Sequence, residues 1–169
     1  LMLLDEDLNK LDILLYYNIL YLIVDNLIDK HKDELKKNLT YLKLILFFPN
    51  IKLKFKNQKI NIIRDLYKKI LKKYPKLKHD FIKLFYYELN GKKIEKQNNL
   101  KYSKYLNNSK NKGNQTVLII NKILNLDIYN IGYLIQLVDD FMDVDEDLKS
   151  NIFTPANVCK NLDEYVLNL

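Results

Sequence analysis

The segment Ile131-Gly132-Tyr133-Leu134-Ile135-Gln136-Leu137-Val138-Asp139-Asp140-Phe141-Met142-Asp143-Val144-Asp145-Glu146-Asp147 sorts into two chemistries when wound as a helix. At about 100° per residue, Gly132, Gln136, Asp139, Asp140, Asp143, Glu146 and Asp147 share an arc of about 120°. Ile131, Leu134, Val138 and Met142 occupy the opposite arc. Same-sign neighbours at i,i+4 each cost a few tenths of a kcal/mol, so the acidic arc either faces bulk water or binds cations. A glycine in mid-helix costs about 1 kcal/mol, which makes sense where something must approach closely. A calcium loop is excluded. Asp143, Asp145 and Asp147 match its first ligands, but Leu148 stands where glycine is required and Thr154 where the bidentate glutamate belongs.

Val24-Asp25-Asn26-Leu27-Ile28-Asp29 supplies a second acidic row. Asp25 and Asp29 are i,i+4, Asp33 extends the row, and the spacing mirrors that of Asp139, Asp143 and Asp147. Facing helices of a bundle build metal sites from such rows. Carboxylates with few histidines or cysteines select hard cations, Mg²⁺ foremost, and Mg²⁺ favours phosphate oxygens as further ligands. Two facing rows with magnesium therefore read as a diphosphate clamp across an enclosed cavity.

The rest of the chain predicts an all-α protein. Leu8, Leu11, Leu15, Ile19, Leu22 and Ile23 recur near helical spacing behind the acidic start Asp5-Glu6-Asp7. A second helix is predicted over about 33–47, stopped by Pro49. Residues 51–56 alternate apolar and basic and read as an extended connector or a basic-faced turn. Asn61 is the expected cap of a helix closed by Pro75. Further helices are predicted over about 80–96, 102–107, 116–125 and 128–149. The polar run Asn107 to Gln115 reads as a loop, and Asp127 as the cap of the last helix. With 169 residues the chain is expected to form one domain, 1–169, able to hold a core without disulfide or structural metal. Its single cysteine, Cys159, excludes an internal disulfide framework, and 3 Gly with 3 Pro argue against a turn-rich β-sandwich or barrel. Leu42 to Phe48 is the densest apolar run and falls short of the ~18 residues of a membrane span. Neither terminus resembles a signal peptide, so an intracellular, cytoplasmic protein is expected.

The formal charge of +7 is unevenly spread. Between Ile51 and Lys83 lie twelve cations and two anions, whereas carboxylates gather at Asp5–Asp12, Asp25–Glu34 and Asp139–Asp147. A protein that only coats nucleic acid has little use for dense acidic clusters, so no nucleic-acid partner is expected. Binding of nucleic acid or anionic membrane through Lys52–Lys78 is the basic-protein alternative, with peripheral membrane contact its milder form.

Gln136-Leu137-Val138-Asp139-Asp140-Phe141-Met142-Asp143-Val144-Asp145-Glu146-Asp147-Leu148-Lys149 resembles the second aspartate-rich motif of class I isoprenoid (terpenoid) synthases, the superfamily of trans-prenyl diphosphate and squalene/phytoene synthases. Asp25-Asn26-Leu27-Ile28-Asp29 resembles their first motif, with Asn26 where many members carry aspartate. Tyr102 to Tyr105, then Lys112-Gly113 and Thr116, resemble the stretch before the second motif. The resemblance implies a shortened helical bundle of that fold and a Mg²⁺-dependent enzyme, a prenyltransferase or terpene synthase that ionises an allylic prenyl diphosphate. It implies metal ligation by Asp25, Asp29, Asp139, Asp140, Asp143 and Asp147, with Asp25, Asp29, Asp139 and Asp143 as the catalytic set. Gln136, Lys112, Lys149 and Asn26 would bind substrate. Tyr21, Phe85 and Phe141 would line an aromatic cavity for the carbocation, with Tyr17 and Tyr86 as further candidates; taken singly, each reads first as an ordinary core residue. Glu88 is pocket-facing or simply solvated. A homodimer is a further expectation. The rival within the same fold is a catalytically degenerate helical protein.

Overall fold

The protein is described by a computed structural model covering residues 2–29, 34–95, 102–128, 131–149 and 154, with the side chains of 2–6, 29, 95, 102, 146 and 147 excepted. It is all-α, and among the described residues there is no strand. The helices are α1 (Met2–Asp29), α2 (Leu35–Phe47), α3 (Gln58–Lys73), α4 (Leu77–Glu95), α5 (Tyr102–Leu124), α6 (Ile131–Met142) and α7 (Val144–Lys149). Contacts divide the chain into two compact units, 1–81 with 122–125 and 82–121 with 126–169.

In the first unit α1 packs on α3 and α2, and α2 on α3. Ile13, Tyr17, Leu20, Leu27 and Ile28 of α1 are buried with Ile60, Ile63, Leu66, Tyr67 and Ile70 of α3 and Leu42 and Ile45 of α2. Phe81 sits edge-on to Tyr17 at 5.8 Å and to Tyr67 at 5.2 Å, a geometry favoured by the ring quadrupoles. Tyr17 is thus a core residue. Prolines set two helix ends in the same way. Phe48 before Pro49 and Tyr74 before Pro75 adopt nearly identical conformations, φ −124°, ψ 69° and φ −125°, ψ 69°, because the proline ring drives its predecessor out of the helical region.

Residues 51–56 form the extended connector. Phe55 is buried there against Tyr41, ring centroids 4.9 Å apart. Asn61 does not cap α3: Asn57 does, its Oδ1 accepting from the Lys59 backbone N–H at 2.9 Å. Asn61 lies one turn inside the helix and pairs with the connector as a strand neighbour would. Its Oδ1 accepts from Phe55 N at 3.0 Å, and its Nδ2 donates to Phe55 O at 2.7 Å. α1 is longer than the run Leu42 to Phe48, and over Asp7–Ile28 it has the length and composition to cross a membrane.

In the second unit the polar run Asn107 to Gln115 is not a loop but the middle of α5. Its polar side chains are buried and bonded to α4. Asn108 Nδ2 donates to the Tyr87 carbonyl at 3.1 Å, and Asn90 Nδ2 donates to Asn108 Oδ1 at 2.9 Å. The predicted long last helix starts later, at Ile131, and breaks at Asp143 into α6 and α7. Asn125, at φ 57°, ends α5 in the left-handed region, and Leu126 N–H bonds back to the Asn121 carbonyl at 3.0 Å.

Asn61→Ala removes both hydrogen bonds that fix the connector at buried Phe55. It is expected to cost about 1–3 kcal/mol, read as a lowered urea midpoint. An unchanged midpoint would show that the connector is held by Phe55 packing alone.

Candidate functional site

The orientation of α6 builds the site. Gly132, Leu137 and Asp140 are its buried residues, while Leu134, Ile135, Val138 and Met142 are 57–77% exposed. The helix therefore turns Gly132, Gln136 and Asp140 toward the protein together with Leu137, and leaves Leu134, Ile135, Val138 and Met142 outward, unlike ordinary amphipathic packing. Asp139 and Asp143 stand at the exposed edge of the inward arc.

Two glycines make this possible. A Cβ on Gly132 would overlap the Gly113 carbonyl of α5, and a Cβ on Gly113 would overlap the Gly132 carbonyl. The close approach expected at Gly132 is made by α5. Around Leu137, half-buried Leu106, Tyr133 and Val144 complete a small apolar cluster.

The polar side of the crossing collects Glu88 from α4, Tyr105 and Lys112 from α5, and Gln136, Asp139 and Asp140 from α6. Lys112 Nζ lies 3.1 Å from Glu88 Oε1. Gln136 Nε2 donates to Asp140 Oδ1 at 3.1 Å and to Asp139 Oδ2 at 3.3 Å. Asp140 is 7% exposed, and its Oδ2 is buried with no hydrogen-bond partner. Burial raises its pKa to about 7, Asp139 adding to the rise; Gln136, Lys112 and Tyr105 pull the other way. Asp139 is also raised, first by burial and then by Asp143, while Lys112 and Gln136 lower it and Glu88 raises it further. Burial and Asp140 together raise the Tyr133 phenol. Lys112 is thus an internal counter-ion for three carboxylates.

The other expected site residues are placed as follows. Asp25 and Asn26 are half-buried on α1 in the first unit, where Asn26 Oδ1 accepts from Lys59 Nζ at 2.8 Å. Asp29 ends α1, and Asp147 lies in α7; their side chains are outside the described residues, as is all of Asp33. Tyr21 is half-buried beside Tyr17, centroids 6.4 Å apart. Phe85 is half-buried on α4. Phe141 is 42% exposed on α6, away from the inward arc, and Lys149 is exposed on α7. Among the described residues no three His, Cys, Asp or Glu side chains converge as a metal-binding group. A cavity of about 250 Å³ in the second unit is lined by amides, Tyr87 and aliphatic groups of α5, with no carboxylate in its wall.

Sequence reasoning left Glu88 open between pocket-facing and solvated, and gave Tyr105 no role in the site. Glu88 had one usable indication: on α4 it falls one helical turn after Leu84, on the buried side of that helix. No protein-family model matches the chain, and neither a curated protein nor a solved structure matches it.

Two expectations test this geometry. Gly132→Ala, which would favour an isolated helix by about 1 kcal/mol, is expected instead to destabilise the protein by about 1–3 kcal/mol through overpacking against Gly113. Its melting temperature should fall; a rise would mean that the helices do not cross here. Asp140 generates a pH dependence. Unfolded, it titrates near ~3.9, so between about 4 and about 7 the folded chain holds a proton that the unfolded chain has lost. Its contribution to stability is fully present below the unfolded pKa and is lost as pH rises through the folded one, by up to about 1.4 kcal/mol per unit. The urea midpoint of Asp140→Asn should therefore vary less between about pH 4 and pH 7 than that of the parent. An equal slope would show that Asp140 is not the buried acid.

Proposed function

We propose that the chain is a magnesium-dependent class I isoprenoid synthase acting on an allylic prenyl diphosphate, built on a shortened helical bundle of that superfamily. One observation carries the reading beyond its motif: α6 exposes Leu134, Ile135, Val138 and Met142 and buries Asp140. Leaving such side chains in water forgoes about 1.5–3 kcal/mol each, and burying a carboxylate adds a further penalty. A helix serving only as packing has no reason to bear both. Functional sites do bear such costs.

The donor set suits a hard divalent cation. Asp139, Asp140 and Asp143 offer only oxygens, and Asp140 Oδ2 is buried without a partner. When bound, magnesium would neutralise charge developing on the departing diphosphate. Gln136 holds Asp139 and Asp140 in fixed relation through its amide. Lys112 brings a positive charge to the inner side of the row, and Lys149 is a second cation for phosphate oxygens. By resemblance, Asp25 and Asp29 contribute the first row of ligands. Heterolysis of the allylic C–O bond leaves the electron pair on diphosphate and a carbocation on the prenyl chain, which aromatic faces stabilise.

A second reading is a catalytically degenerate relative of the same fold. It is favoured by the Lys112–Glu88 pair and the Asn26–Lys59 hydrogen bond, which already occupy polar groups that a metal–diphosphate complex would use.

Incubation with geranyl or farnesyl diphosphate and Mg²⁺ should release diphosphate, and the double variant Asp139→Asn/Asp143→Asn should abolish that release. Undiminished turnover in the double variant would overturn the assignment. Magnesium-dependent binding of a prenyl diphosphate without release by the parent chain would favour the degenerate reading.

A further inference from the structure

α1 is apolar on two faces, and the first unit uses only one of them. Ile13, Tyr17, Leu20, Leu27 and Ile28 are buried. Opposite them, Leu8 is 59% exposed, Leu11 56%, Leu15 54%, Ile19 37% and Leu22 67%. A helix apolar all round is normally covered all round, and a contiguous exposed stripe marks an interaction surface. The steps from Leu8 to Leu11 to Leu15, and from Leu15 to Ile19 to Leu22, are three or four residues, the spacing of a helix-pairing seam.

The stripe is also palindromic. Leu8 and Leu22 lie equally far from Leu15 on either side, and so do Leu11 and Ile19. A surface of this kind is complementary to itself when turned end for end, as a two-fold interface requires. We propose that a second copy of this chain covers it, the two α1 helices pairing antiparallel about a two-fold axis at Leu15. Leu8 of one copy then meets Leu22 of the other, Leu11 meets Ile19, and Leu15 meets Leu15. Five such side chains per copy, with their flanks, remove on the order of 1,000 Å² from water, the lower bound for a specific interface.

Charge selects this direction. Asp7 and Asp12 are exposed on the N-terminal half of α1. A parallel pair would set the acidic halves of both copies side by side, a like-charge arrangement that costs stability. Antiparallel pairing moves them apart. Asp12 lies one turn from Tyr16, on the side along which α3 runs, because Lys69 Nζ sits 4.9 Å over the Tyr16 ring and Lys59 Nζ bonds Asn26. The turned copy therefore presents its Asp12 to the α3 lysines of the first. A bilayer fits the surface less well, since Asp7, Asp12 and Asn18 border the stripe and would enter hydrocarbon.

The test uses the full chain at micromolar concentration in sedimentation velocity. The parent is expected at twice 20.3 kDa, and Leu15→Asp at the monomer mass with unchanged helical circular dichroism, its dimer weakened at least about 100-fold. Should that variant misfold, disulfide trapping in a Cys159→Ser background decides instead. Leu15→Cys should cross-link to itself; Leu8→Cys should not, yet should cross-link when mixed with Leu22→Cys. A monomeric parent, a dimer that survives Leu15→Asp, or self-cross-linking of Leu8→Cys would overturn the proposal. So would co-flotation with phosphatidylserine vesicles that Leu15→Asp abolishes, which would assign the stripe to a membrane.

Discussion

The second unit depends on the contact between the Gly113 and Gly132 backbones. With no side chain at either position, α5 and α6 approach until each glycine carbonyl fills the space that the other's Cβ would need. That approach fixes the rotation of α6. Once Gly132 faces α5, helical geometry forces Gln136 and Asp140, one and two turns on, to face it as well. The hydrophobic effect opposes this rotation, since it leaves Leu134, Ile135, Val138 and Met142 in water. What holds it is the polar side of the crossing. Lys112 stands beside Glu88 and lowers the cost of charge on Asp139 and Asp140, and Gln136 donates to both aspartates. Removing Lys112 would leave buried carboxylates without their counter-ion, which is worse than never having built the pair.

The first unit follows the opposite logic. Its helices bury aliphatic and aromatic side chains, and its polar groups are spent on chain direction. Proline positions end α2 and α3, Asn57 starts α3, and Asn61 ties an extended segment to a helix. Polar side chains here satisfy backbone groups that no regular ladder reaches. In the second unit they also satisfy one another, as Asn90 does with Asn108 and Gln136 with Asp139 and Asp140.

This contrast explains what the sequence made legible. The all-α class and the proline-bounded ends of α2 and α3 could be read directly, because local sterics decide them. The Asn107–Gln115 stretch could not. Asn and Ser favour turns in isolation, and only the carbonyl of Tyr87 and the amide of Asn90, distant in sequence, make Asn108 tolerable inside α5. Asn61 misled for a related reason: its residue type suits a cap, but its partner is Phe55. On α6 the composition of the acidic arc was plain, and so was the oddity of Gly132. Which arc turns inward was not, since it is fixed by Gly113 on another helix. Lys112 was visible as a candidate cation, yet its role as counter-ion required Glu88, whose place one turn after Leu84 pointed to burial but named no partner.

The two exposed apolar faces of the molecule have different origins. On α6 the exposure is a consequence: turning the carboxylate arc inward leaves the aliphatic arc nowhere else to go, and Asp139 and Asp143 at its edge break it up. Reversal about Val138 maps Leu134 onto Met142 and Ile135 onto exposed Phe141, so this face too is symmetric in sequence. On α1 no such trade exists. The helix already buries a complete apolar face, and the outer stripe adds surface that the first unit does not need. Reversal about Leu15 maps every member of that stripe onto another aliphatic residue. Exposure on α6 is accounted for by the inward polar site that forces it. Exposure on α1 is forced by no such site, and its symmetry about Leu15 fits it to a second copy.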